Sequence, residues 1–397
     1  MLWYGKVPPG WGGVVGSMKL IAPGVGWAER AGRLYWTNDG GANWKDITPP
    51  GDGRLAGIFF LNPSTGWVTI NHPGLESDLV STNDAGATWS RTTIPVLPKD
   101  YGVSDSERFS TRESAETVAF VDSLHGWTNV TFAGDNTGAS GLLLVTSDGG
   151  RTWHDPADAP SLVTTKMLLV TPSEGWLYGD DEPEGIWRLY VTRDGARSWQ
   201  EVAPEVAGLA DSHVMGPPTF EDAGHGLLQV NGVRGGDPKH LTLGLLATSD
   251  GGRTWKPDRT VANLDETARY QYGSPTVVGS DWIFAAAGEH HPVLTKLSPG
   301  ARIDASTDTA ASRPLYKAIR HISFATPAQG WAIVSGELQS TTDGGATWTE
   351  ISPGPQPHVI QPHGSFIPRR PMNNPGAAAP AKPPTDGSIG PNGGGSP

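Results

Sequence analysis

The sequence predicts an all-β chain: a seven-bladed β-propeller of four-stranded blades with a disordered C-terminal tail. Three observations carry this expectation. An eight-residue pattern, Thr-x-Asp-x-Gly-x-Thr-Trp, occurs six times with small variations, starting at Thr37, Thr82, Thr146, Thr192, Thr248 and Thr341. A second motif precedes each copy, reading Gly26-Trp27, Gly66-Trp67, Gly126-Trp127, Gly175-Trp176 and Gly330-Trp331, with Gly226-Leu227 in the fifth unit. The chain of 397 residues also holds 53 Gly, 35 Pro and 16 Trp, and no long 3.6-residue apolar period runs free of breakers.

The units follow in order. The gap between Asp250 and Asp343 is twice the common spacing, which implies a worn unit inside it. There Asp281-Trp282-Ile283-Phe284 takes the Gly-Trp place, and the segment Leu294 to Ala301 takes the place of the Asp motif. That makes seven units, expected as blades at 14–50, 54–95, 117–157, 163–204, 217–257, 274–301 and 318–352 within a propeller domain of residues 1–353. Each reads as four short strands. In unit two these are Leu55 to Leu61, Gly66 to Ile70, Asp78 to Thr82 and Thr88 to Ile94, where apolar and β-branched residues alternate with polar ones between turn residues. Four-stranded units repeated every 40 to 50 residues or so mean a propeller.

The Asp motif falls on the turn between the third and fourth strands. Asp39, Asp84, Asp148, Asp194, Asp250 and Asp343 are expected to accept hydrogen bonds from turn backbone N–H groups. The Gly two residues later supplies a positive φ. Trp44, Trp89, Trp153, Trp199, Trp255 and Trp348 restart the strand and pack between blades. Unit four carries Ala196 where the others have Gly, so its turn is expected to be strained or differently shaped. Six such carboxylates spread round a ring cannot serve one active site, so the motif is structural.

These residues resemble the Asp-box (BNR) repeat of sialidases and related propellers. The pairing with Gly-Trp is most similar to the photosystem II assembly and stability factor family. The resemblance covers roughly residues 14 to 352. It implies a propeller that is either a non-catalytic binding or assembly module, or a glycoside hydrolase. Sialidases need an arginine triad, a Tyr nucleophile and acidic partners, and their first arginine lies in an Arg-Ile-Pro motif that this chain lacks; Phe366-Ile367-Pro368 has no preceding Arg. Endo-glucanases of this type use two propellers, and one propeller leaves no second domain to form the cleft. No G-x-S-x-G elbow supports a Ser-His-Asp route. No catalytic residue is assigned. The binding or assembly reading leads, and a sialidase-like or endo-glucanase-like hydrolase is the alternative.

Length variation is one-sided. The segments 96–117, 132–141, 179–187, 204–218, 231–244, 256–274 and 302–317 all fall on the face opposite the Asp motifs. Long loops on one face of a rigid scaffold carry function, so the binding site is expected there. Its candidate residues are Tyr101, Phe132, Tyr178, Asp180, Asp181, Glu182, Trp187, Tyr270 and Tyr272. Aromatic side chains in such loops stack on sugars or anchor a protein partner. The acidic stretch from Asp180 to Glu184 lacks calcium-loop spacing. His290-His291 point to opposite faces of a strand, so no metal and no cofactor are expected. The partner is a protein or a glycan.

Composition narrows the rest. A net charge of −12 without a basic run argues against nucleic acid. No apolar stretch approaches the roughly 18 residues of a membrane span. The absence of Cys excludes disulfides and thiolate sites. The first residues, Met1 to Pro9, do not read as a signal peptide. Family habit nevertheless points to an extracytoplasmic or secreted monomer, with a cytoplasmic place left open. From Pro353 the composition shifts, with 12 Pro and 8 Gly in the last 45 residues, so residues 354–397 are expected to be a disordered tail. Ring closure is left open between plain packing and an added N-terminal strand from Leu2-Trp3-Tyr4.

Overall fold

The computed structural model describes residues 14–72, 77–94, 112–134, 138–156, 158–181, 186–204, 206, 209–234, 241–264, 276–278, 281–286, 293–297, 300, 302–304, 313–314, 319–351 and 353. The chain divides into units Met1–Gln356 and Pro357–Pro397. The whole of the second unit, and with it the expected disordered tail, lies outside the described residues. Within the first, every regular element among the described residues is a β-strand.

The first blade is β1 (Val15–Ala22), β2 (Val25–Arg30), β3 (Arg33–Thr37) and β4 (Lys45–Asp46). The second is β5 (Arg54–Phe60), β6 (Gly66–Asn71), β7 (Asp78–Thr82) and β8 (Ser90–Thr93). The third holds β9 (Arg112–Phe120), β10 (Gly126–Gly134) and β11 (Gly138–Thr146). The fourth is β12 (Val163–Leu169), β13 (Gly175–Asp181), β14 (Ile186–Thr192) and β15 (Gln200–Glu201). The fifth has β16 (Leu209–Val214), β17 (Thr219–Phe220), β18 (Gly226–Arg234), β19 (Leu241–Thr248) and β20 (Lys256–Leu264). A separate group follows: β21 (Thr276–Val278), β22 (Asp281–Ala286), β23 (Val293–Leu297), β24 (Arg302–Asp304) and β25 (Arg313–Pro314). The last blade is β26 (Ile319–Phe324), β27 (Gly330–Val334), β28 (Glu337–Thr341) and β29 (Thr349–Glu350).

The architecture is an all-β propeller, but the expected seven four-stranded blades are corrected to six blades built on the repeat. The stretch read as a worn blade forms a sheet of β21, β22, β23 and β25, which stands between β17 of the fifth blade and β26 of the last. It has no copy of the turn motif to lock a third-to-fourth-strand turn. Its β24 leaves it to pair in parallel with β20 of the fifth blade. Nor are the six blades uniform. The third has three strands, and the fifth blade's sheet has six with β24 included. Several segments read as long loops are in fact strand arms: β10 runs on to Gly134 and β18 to Arg234, while β20 covers Lys256–Leu264.

Burial follows position in the blade. The second and third strands are covered by a neighbouring blade on each side, so both of their faces are apolar. Trp67, Val68 and Ile70 on β6 are all nearly inaccessible. The fourth strands are short and exposed, as in Lys45–Asp46 and Ser90–Thr93, and polar side chains there blunt the sheet edge. The Gly that opens the second strand has a packing cause in four blades. A Cβ at Gly66, Gly126, Gly226 or Gly330 would sit 2.4–2.6 Å from the ring of Phe60, Phe120, Phe220 or Phe324, six residues earlier in every case.

Most cores are shared between two blades. Trp27, Leu34, Trp36 and Ile47 of the first pack with Phe60, Val68, Ile70 and Val80 of the second. The motif tryptophans reach back to the preceding blade: Trp199 lies 5.5 Å from Trp127, Trp255 6.1 Å from Trp176, and Trp44 5.6 Å from Trp331. The first and last blades are joined by hydrogen bonds, and Leu2-Trp3-Tyr4, the other closure candidate, lies outside the described residues. Val15 donates its N–H to the carbonyl of Gly336 at 2.8 Å, and Leu20 donates to Ser323 Oγ at 3.2 Å. First strands of neighbouring blades touch one another (β1 with β26, β5 with β9, β9 with β12), so they form the inner edge of the ring.

Candidate functional site

The motif turns show which residues are committed to the scaffold. In each of the six turns the Thr hydroxyl donates to Asp Oδ1 at 2.7–2.9 Å. The backbone N–H four residues past the Asp also donates to Oδ1, at 2.8–2.9 Å. The side chain of that residue, an Asn, Thr or Ser, donates to Oδ2 at 2.6–2.7 Å. Both carboxylate oxygens are therefore taken. These bonds favour the charged form. Asn43 holds Asp39 down to about 2, and Thr88, Ser198 and Thr347 do the same for Asp84, Asp194 and Asp343.

The same turns define one face. In every blade of the repeat, the residue after the Asp bonds back to the first-to-second-strand turn, as in Gly40 N–H to Gly24 and Ala85 N–H to Ser64, at 2.8–2.9 Å. Both turns thus lie on one side of the ring, and the second-to-third-strand connections lie on the other. Two residues of each turn sit in the left-handed region. One of them is Ala196 at φ 69 in place of Gly, and Ala85 at φ 57 precedes Gly86 in the second blade. The Ala196 turn keeps the shape of the others, so it carries backbone strain.

On the opposite side, the candidate residues separate. Tyr178 is buried between blades. Its hydroxyl donates to the carbonyl of Val214 at 3.0 Å, and burial pushes its phenol up to about 12. Trp187 is 41% exposed and Ile186 beside it 46%, with the Trp187 ring 5.0 Å from that of Tyr178. Asp180 pairs with Trp187 across β13 and β14 and is half-buried. Phe132 and Asp181 stand on β10 and β13, but their side chains are outside the described residues, as are Tyr101, Glu182, Tyr270 and Tyr272 entirely. Of the nine, only Tyr178, Asp180 and Trp187 are seen to meet.

Two features on this scaffold were not singled out from sequence. Asp78, at the start of β7, takes Arg91 Nη1 at 2.6 Å and His72 Nε2 at 2.9 Å on one oxygen. Its position opening a third strand was legible, but its partners come from β8 and from the end of β6. Lys19 and Lys166 stand on the innermost strands β1 and β12. Both reach solvent, yet enough protein surrounds each ammonium that loss of hydration lowers its pKa. A lysine on a strand otherwise reading as core was the available signal.

The fold and its locked turns define a class: a β-propeller of Asp-turn blades. No protein-family profile matches the chain. It is 28% identical over 210 residues to the photosystem II assembly protein Ycf48 of Thermosynechococcus vestitus (strain NIES-2133 / IAM M-273 / BP-1), covering 45% of this chain and 57% of that protein. It is 26% identical over 182 residues to the photosystem II assembly lipoprotein Ycf48 of Nostoc sp. (strain PCC 7120 / SAG 25.82 / UTEX 2576), covering 38% of this chain and 51% of that one. The chain thus spans little more than half the length of the curated relatives it matches. Among solved structures it is similar to YCF48 bound to D1 peptide, with 18% identity, 76% of this chain and 83% of that one covered, and a TM-score of 0.44. It is also similar to the Hadza microbial sialidase Hz136, with 16% identity, 69% and 63% covered, and a TM-score of 0.42. The chain resembles the photosystem II assembly factor and sialidase propellers. No helix among the described residues is long and apolar enough to cross a membrane.

Proposed function

We propose that this chain is a non-catalytic assembly propeller that binds a protein partner on the face opposite its Asp turns, outside the cytoplasm. The observation that carries the reading is its sequence match to two photosystem II assembly proteins. The description of one of them as a lipoprotein supports an extracytoplasmic place. The geometry supports the choice of face. The turn carboxylates are spent on their own backbone, while Ile186 and Trp187 present apolar surface on the other side. Trp187 rests on Tyr178, which is itself pinned to the next blade. A rigid, exposed aromatic of this kind is what anchors a protein interface.

The test places a photo-crosslinking residue at position 187 and, on the Asp-turn face, at position 151. Crosslinks to one protein through position 187 that disappear on adding unlabelled wild-type chain are expected, with position 151 silent. Crosslinks confined to position 151, or turnover of any fluorogenic glycoside by the purified chain, overturn the reading.

A further inference from the structure

Neighbouring blades meet at a repeated contact. The third residue after the motif Trp, on or just past the fourth strand, reaches the motif glycine of the next blade in three cases. Ile47 faces Gly86, where a Cβ would stand 2.7 Å from the Ile47 side chain, and Ile351 faces Gly41 at 2.6 Å. Thr92 makes the same reach by donating its hydroxyl to the carbonyl of Gly150 at 3.0 Å. In three blades this residue also extends the sheet: Ile47, Val202 and Ile351 donate N–H to Leu34, Leu189 and Leu338 at 2.8–2.9 Å.

The third blade breaks the pattern. The residue three past Trp153 is Pro156, which has no N–H to donate. The fourth strand ends after a single bridge between Val145 and His154. Facing Pro156 across the interface, the fourth blade has Ala196 instead of glycine. Between them opens a cavity of about 530 Å³ on the Asp-turn face, lined by Pro156, Ala196, His125, His154, Asp158 and Arg197. Its volume lies within the usual range of about 300–1,000 Å³ for small-molecule sites.

One cationic group there departs from its motif equivalents. Arg151 and Arg253 occupy the same place in their motifs as Arg197, and each folds back to donate Nη1 to the carbonyl of its own motif Asp, at 2.9 and 2.8 Å. Arg197 makes no such bond among the described residues, and it lines the cavity. His125 Nδ1 lies 2.9 and 3.1 Å from the two Asp122 oxygens. A carboxylate only accepts, so Nδ1 carries the proton in that contact. Asp158 adds a carboxylate to the lining. The site therefore brings one forked cationic side chain and a carboxylate, free among the described residues, together with the apolar residues Trp127 and Pro172.

We propose that this cavity binds a free amino acid with an apolar side chain. Its carboxylate pairs with Arg197, whose planar fork matches a carboxylate. Its ammonium pairs with Asp158, and its side chain takes the space left open by Pro156 and Ala196. The site stands apart from the protein-binding face and does not depend on that reading.

Isothermal titration and saturation-transfer NMR on the full chain test it, with L-leucine and L-phenylalanine as probes. Binding of at least one is expected. R197M and D158N each weaken it by about tenfold or more, the usual loss of a charge-assisted contact, whereas R151M leaves it unchanged. N-acetyl-L-leucine and L-leucinamide each remove one charge and bind at least tenfold more weakly. The double variant P156I/A196G rebuilds the interface found at Ile47–Gly86 and abolishes binding while the far-UV circular dichroism stays native. Failure of both probes to bind the wild-type chain at 20 mM, equal binding of the N-acetyl derivative, or unchanged binding by a natively folded P156I/A196G chain overturns the proposal.

Discussion

The contact between the fourth strand of one blade and the motif glycine of the next makes a quantitative prediction for Gly86→Ala. At φ 77 the new alanine meets the left-handed penalty of about 1–2 kcal/mol. Its Cβ would also lie 2.7 Å from Cβ and 2.8 Å from Cδ1 of Ile47. Ile47 is buried and cannot swing away, so overpacking adds about 1–3 kcal/mol. A stiffer unfolded chain returns about 0.4–1 kcal/mol, and the buried methyl about 0.8 kcal/mol. The net is a loss of roughly 1–3 kcal/mol. Ala196→Gly runs the other way without the clash. It relieves about 1–2 kcal/mol of left-handed strain but forfeits the methyl and the unfolded-state term, so it comes out near zero. In thermal unfolding followed by tryptophan fluorescence, at about 2 °C per kcal/mol for a domain of this size, Gly86→Ala lowers the midpoint by about 2–6 °C and Ala196→Gly moves it by less than about 2 °C. An unchanged midpoint for Gly86→Ala, or an equal fall in both variants, would refute the idea that Pro156 is what makes room for an alanine in the fourth blade.

Other outcomes follow from single groups. Tyr178→Phe removes the hydroxyl bond to Val214 and costs about 1 kcal/mol at neutral pH. Because burial raises the phenol from 10.0 to about 12, the wild-type chain keeps its full margin over this variant below pH 10 and loses it as pH rises towards 12, a window readable by absorbance at 295 nm alongside urea unfolding. Asp39, Asp84, Asp194 and Asp343 titrate near 2 instead of 3.8. Their contribution is therefore complete above pH 3.8 and lost as pH falls through 2, and an acid titration by circular dichroism is shallower in that window for Asp84→Asn than for wild type. Lys166→Met stabilises the chain at neutral pH, where the enclosed ammonium is charged in both states. The gain in urea midpoint fades as pH approaches 10.5, the value the amine has when unfolded.

Much of the scaffold was legible because its causes are local. Thr, Asp and the second Thr build the turn from side chains two and four residues apart, so six turns could be located from spacing alone. The strands of the second blade were placed within two residues for the same reason. What escaped was set by contacts between blades. One exception is local: Pro156 cannot give Leu143 the N–H that Ile47 gives Leu34, and with the motif otherwise intact the three-stranded third blade passed for a four-stranded one. The worn stretch between Asp281 and Ala301 kept its apolar pattern and was read as a seventh equal blade, yet without the Thr–Asp lock its neighbour β24 goes to the fifth blade. Tyr178 was placed on a binding face because aromatic residues near long connections often bind. Its burial depends on the Val214 carbonyl, 36 residues away. Trp187, one register position from the acidic turn, was the part of the candidate site that exposure favours.

The repeat also bears on where new chemistry can arise in such a ring. A turn whose two carboxylate oxygens are both consumed, and whose glycine is pressed by the preceding blade, cannot acquire a ligand without losing its fold. Function on the Asp-turn face therefore requires a position where the repeat is broken and the break is compensated. Pro156 and Ala196 meet that condition together: the proline withdraws a strand and a bulky side chain, and the alanine takes up part of the space in a turn that retains its strain. Either change alone would leave a hole or a clash. Their joint presence at one interface, beside an arginine that alone among three equivalents is not folded back, is what separates a built cavity from a packing defect.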